Sequence, residues 1–123
     1  MIEYRNHITR AMLRAEPEKL FVFGDNIQRE GYGGQAKEMR GEPNAVGIPT
    51  KIYPSMAEKA FFTDSNYDMF LLHTAKDYLR LVGFAGVIVW PKGGIGTGLA
   101  QLEKRAPIIW DDIESLRLSL EKL

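Results

Sequence analysis

Gly24-Asp25-Asn26 ends a short apolar run, and the glycine-dense stretch Gly31-Tyr32-Gly33-Gly34-Gln35-Ala36 follows at once. A carboxylate at a strand end can accept a hydrogen bond from a ribose hydroxyl or an adenine amino group. An asparagine amide both donates and accepts, so Asn26 can hold a sugar diol or orient a water. Glycines let the backbone approach a ligand closely, and helix N-termini offer free N–H groups to phosphate oxygens. A second loop of this kind, Pro91-Lys92-Gly93-Gly94-Ile95-Gly96-Thr97-Gly98, follows another apolar run. Together the two loops read as a small nucleotide-phosphate site, with Gly24, Gly31 to Gly34 and Gly94 to Gly98 around the ligand.

Each of these residues also has a purely structural reading. Asp25 and Asn26 suit an Asx turn or a cap. Tyr32 can stack on a base or ribose, or cover the edge of the core. Lys92 and Lys51 can reach phosphate as point charges or face solvent. Thr97 suits a helix cap first and a phosphate contact second. Arg29 and Glu30 read as solvated loop charges. The first loop is neither a GxxxxGK[ST] phosphate loop nor a GxGxxG dinucleotide fingerprint.

The elements that must position these residues alternate along the chain. Asn6 can cap a helix to about Ala15, with Ile8, Ala11, Met12 and Ala15 on one face. Leu20 to Phe23 is apolar throughout, as in a strand covered on both faces. A short helix from Gly33 or Gly34 to Arg40 precedes a second strand, Ala45 to Ile48, closed by Pro49-Thr50-Lys51. Residues 52–62 read as an irregular lid or binding loop pinned by Phe61 and Phe62. The helix over 64–82 carries Tyr67, Phe70, Leu71, Thr74, Tyr78, Leu81 and Val82 on its core side. A third strand, Gly86 to Trp90, leads into the second glycine loop and a short helix through Arg105. A last helix begins at Pro107 with Ile109, Ile113, Leu116 and Leu120 inward. This order predicts a single α/β domain over 1–123: a small, mainly parallel sheet between helices, with Ile2-Glu3-Tyr4 or the region near Phe61 as an added edge. Loops after three parallel strands can then share one crevice at the carboxyl ends.

Composition narrows the function classes. The chain has 123 residues, 45% of them hydrophobic, which suits one folded core. It has no cysteine and only two histidines, His7 and His73, so disulfides, thiolate chemistry and a histidine metal centre have no residues to build them. Sixteen basic and sixteen acidic side chains balance, and no basic block supports general nucleic-acid binding. No apolar run approaches a membrane span, and the N-terminus has no signal-peptide pattern, so a cytoplasmic protein is expected. Oligomeric state is left open.

Phe23-Gly24-Asp25-Asn26, Ile48-Pro49-Thr50-Lys51 and Gly94-Ile95-Gly96-Thr97-Gly98-Leu99 together resemble the macro-like proteins of phages and bacteria, over about Leu20 to Leu116. More distantly the layout is similar to macrodomains, which bind ADP-ribose. The resemblance implies a macrodomain-like α/β/α fold; no metal or cofactor is expected, from the composition above. It implies an ADP-ribose-like ligand, with Asn26 and Gly31 to Gly34 at the distal ribose and phosphates and Gly94 to Gly98 as the second loop. It also implies a possible ADP-ribosyl hydrolase, for which Asp25 is the nearest general base and Asn26 orients the ribose or a water. The usual Asn-Ala-Ala-Asn run is replaced here by Phe-Gly-Asp-Asn. A non-catalytic nucleotide sensor and a protein-interaction domain are the alternatives.

Overall fold

The computed structural model describes residues 1–123. Strands β1 (Ile2–Arg5), β2 (Leu20–Asn26), β3 (Ala45–Lys51) and β4 (Ile88–Pro91) form one parallel sheet in the order β1-β4-β2-β3. Helices α1 (Arg10–Ala15), α2 (Ala36–Met39), α3 (Tyr67–Val82), α4 (Leu102–Arg105) and α5 (Pro107–Glu121) complete a small three-layer α/β/α fold. No helix is long and apolar enough to cross a membrane.

The apolar run at the start of β2 follows from its place inside the sheet. Leu20 and Val22 join the larger core with Phe70, Leu81, Ile109 and Ile113 from α3 and α5. Phe21 and Phe23 face the other way, into a smaller core with Leu13 and Met39 from α1 and α2. Successive side chains point to opposite faces, so a strand covered twice must be apolar at every position. Ile109, Ile113, Leu116 and Leu120 are all buried along α5, at the spacing one helical face requires.

Several boundaries differ from the sequence expectation. Gly24-Asp25-Asn26 belongs to β2, because β3 keeps pairing beside it as far as Lys51, with a register shift between Asp25 and Asn26. β3 runs through Pro49, which an edge strand tolerates because a proline there removes no essential ladder bond. The edge beside β4 is β1, and Phe61 adds an isolated antiparallel bridge to Lys51. Thr9, not Asn6, caps α1 by accepting from the Met12 N–H, and Leu13 is its buried residue, while Ala11 and Ala15 are exposed. Asp64–Asn66 forms a 3-10 turn ahead of α3 under a Thr63–Asn66 capping box. Leu71 and Val82 lie exposed at the margins of the α3 stripe.

Candidate functional site

The loops after β2, β3 and β4 open onto one cavity of about 630 Å3 at the carboxyl ends of the strands. Gly24, Asp25, Asn26 and Gly31 to Gln35 line one side. Thr50, Lys51 and Pro54 to Met56 line another, and Gly94, Gly96 to Ala100 close the third. The structure therefore brings together most of the residues singled out above. The β2–β3–β4 arrangement does this without side-chain help, since parallel strands place their following loops at the same end.

The backbone of both glycine loops is unusual in its hydrogen bonding. No N–H from Gly31 through Gln35 has an acceptor within the protein, and none from Ile95 through Ala100 does. Residues 31–35 and 96–100 line the cavity, and their N–H groups, free of protein acceptors, are available to anionic oxygens there. Gly96 shows why the second loop needs glycine. Its φ is +77°, and an added Cβ would lie 2.8 Å from Leu102 Cδ2 and 3.3 Å from Thr50 Cγ2.

Asp25 and Asn26 are buried and occupied. The Asp25 carboxylate receives Arg40 Nη2 at 2.5 Å and the Asn26 N–H at 2.8 Å, with Arg29 Nη1 3.7 Å away. Arg40 also donates to the Gly31 and Glu30 carbonyls, so the pair clamps the start of the first glycine loop onto β2. Asn26 Nδ2 donates to the Glu30 carbonyl at 2.8 Å and Oδ1 takes the Glu30 N–H at 3.5 Å. Asn26 thus closes the turn with one amide hydrogen and one lone pair left over.

Lys51 reaches the cavity wall. Its ammonium donates to the Ser55 carbonyl, lies 4.7 Å from the Phe61 ring centroid and has no carboxylate partner. Burial, with Arg105 nearby, holds it below the ordinary lysine range. Arg105 stacks at 3.8 Å on the same ring and is itself paired with Glu58 at 2.9 Å, so Lys51 is the cation of this end that lacks a carboxylate. Lys51 and Asp25 make no ion pair with each other.

The chain belongs to a family of unknown function, DUF7831, whose model matches residues 3–116. No curated protein and no solved structure matches it.

Three expected ligand residues sit elsewhere or serve the fold. Ile95 is 2% exposed, packs into the larger core and does not line the cavity. Lys92 lies on the far side of the second loop and does not line this cavity. Thr97 does not cap a helix: its hydroxyl donates to the Gly93 carbonyl at 2.7 Å and folds the loop on itself, while Gln101 precedes α4. The sequence reading missed Arg40, Gln35, Thr50, Met56 and Leu99. The Gln35 Oε1 atom is buried without a partner. Leu99 and Tyr32 are each 67% exposed, an unusual state for large apolar side chains beside a cavity. Glu30 is exposed and lines the wall with a carboxylate free of any ion pair, in keeping with a solvated loop charge. Apolar exposure and unpaired polar atoms are signals of the folded state, so no spacing pattern announces them.

Proposed function

We propose that this protein binds ADP-ribose or a closely related nucleotide diphosphate in the cavity between its two glycine loops. The observation that carries the reading is the pair of acceptor-free N–H runs, Gly31 to Gln35 and Gly96 to Ala100, on residues that line one space. A diphosphate supplies the acceptors those donors lack. Lys51 adds the positive charge, and the exposed Tyr32 and Leu99 offer apolar surface to a base or ribose. A cavity of about 630 Å3 suits a ligand of dinucleotide size. The macro-like resemblance of Phe23 to Asn26 and Ile48 to Lys51 supplies the choice of ADP-ribose among diphosphates.

Titration calorimetry with ADP-ribose, ADP and NAD tests this reading. Saturable binding of ADP-ribose, weakened at least about tenfold by Gly96→Ala or Lys51→Met, supports it. No binding of any of the three rejects it.

The engagement of Asp25 favours a second reading, a sequestering module without turnover. A general base needs a free carboxylate beside the reacting water. Asp25 is held by Arg40 and the Asn26 N–H, whereas Glu30 is unpaired on the wall. If ADP-ribosyl peptide is cleaved, Glu30→Gln should slow turnover at least about a hundredfold while leaving ADP-ribose binding near wild type. Stoichiometric binding without product from the wild type supports sequestration.

A further inference from the structure

The second glycine loop has another side. A separate cavity of about 250 Å3 lies there between the loop, the β1/β4 edge and α5. Its wall includes Tyr4, Trp90, Lys92, Gly93, Trp110 and the Arg117–Glu114 pair. Gly94 and Thr97 line both this space and the larger cavity, so the loop is a partition between them.

Donors outnumber free acceptors here. Trp90 is wholly buried, and its indole Nε1–H has no partner. The Gly93 N–H has no acceptor within the protein. Lys92 forms no ion pair and is exposed. The carboxylate on the wall, Glu114, already takes Arg117 in a fork, at 2.9 and 3.1 Å. Arg117 donates further to the Tyr4 hydroxyl at 2.8 Å and to Glu121 at 3.1 Å. The charged groups of the wall thus sum to one net positive charge, carried by Lys92.

A buried indole N–H without an acceptor is costly, and native proteins rarely leave one so. A small oxyanion brings acceptors alone and matches the unpaired ammonium. We infer that this cavity is a second binding site, distinct from the nucleotide cavity, for a small oxyanion such as phosphate or a carboxylate. Lys92, the Gly93 N–H and the Trp90 N–H are its donors. The inference does not depend on the identity of the larger cavity's ligand.

The chain's two tryptophans, Trp90 and Trp110, both line this site, so tryptophan emission reports on it directly. The full chain is titrated with inorganic phosphate, and separately with acetate, at constant ionic strength set with chloride. A saturable change in emission with either anion is expected, and the tighter of the two identifies the preferred shape. Lys92→Met, an exposed substitution that leaves the core intact, should weaken it about tenfold. Trp90→Phe keeps an aromatic ring and removes the donor; Trp110 still reports, and the response should weaken similarly. A wild-type response that is absent or merely linear overturns the inference. So does a saturable response unchanged in Lys92→Met; its loss in Lys51→Met would then place the anion in the larger cavity.

Discussion

Asp25 holds the wall of the larger cavity through Arg40, and the space it occupies exists because residue 47 is glycine. A Cβ built at Gly47 would stand 2.5 Å from Asp25 Oδ2 and 2.8 Å from Asp25 Cβ. β3 is paired to β2 at this point, so neither backbone can retreat. Gly47→Ala must then push the carboxylate from its guanidinium partner. We expect a loss of about 3–5 kcal/mol in urea unfolding, as for other breaks of a buried ion pair. Gln35 should behave in the opposite way. Its buried Oε1 lacks a partner, so the amide contributes little to stability as it stands. Gln35→Leu should leave stability unchanged or raise it by about 1 kcal/mol, because no bond is lost and an unmet acceptor is removed. If Gln35 turns toward the ligand, the same variant should bind ADP-ribose several-fold more weakly by calorimetry. A stable variant with wild-type affinity would deny it any part in recognition.

At the scale of elements, the long helices are joined by polar groups that cross the core boundary. Tyr67 and Tyr78 of α3 both donate to Asp112 of α5, at 2.5 and 2.9 Å. Burial first, and then the Asp112 charge, raises the Tyr78 phenol well above its usual range. Asp112→Ala leaves two inward hydroxyls without an acceptor and should cost about 2–4 kcal/mol by thermal or urea unfolding. Tyr78→Phe should cost less, since it removes donor and need together. A different network ties β1 to the end of α1: Arg5 grips Glu16 at 2.5 and 2.6 Å, and Lys19 joins them at 2.9 Å. The Arg5 hydrogen bonds, followed by that of Lys19, lower the Glu16 carboxyl to about 2. A carboxyl lowered by folding stabilises above its unfolded value, near 4.3, and loses that contribution as pH falls toward 2. The stability difference between wild type and Arg5→Met should therefore be present at pH 6 and shrink progressively below pH 4.

For the whole molecule, β/α alternation and glycine density were enough to place three loops at one end of a parallel sheet. That much was legible because apolar runs, Pro107 and the α5 stripe are local signals. The identity of the cavity wall was not. Asp25 reads as a turn carboxylate until β3 is laid beside it, and Arg40 becomes its partner only through a fold that joins residues fifteen apart in sequence. Ile95 sits among glycines yet is core, because one position of that loop must anchor it to α4 and α5. The global charge balance has its own consequence for binding. With sixteen charges of each sign there is no broad positive field, so attraction of a diphosphate rests on backbone N–H groups and on Lys51. Affinity for ADP-ribose should therefore change little with salt but respond to pH. Burial and Arg105 lower the Lys51 value, so its charge is lost before that of an ordinary lysine near 10.4. Binding should fall as pH rises through the lowered value. Lys51→Met should bind more weakly near pH 7 and lose that alkaline limb. A wild-type profile indistinguishable from that of Lys51→Met, or a limb that survives in Lys51→Met, would remove Lys51 from the proposed anion site and leave the glycine-loop backbone as its main source of attraction.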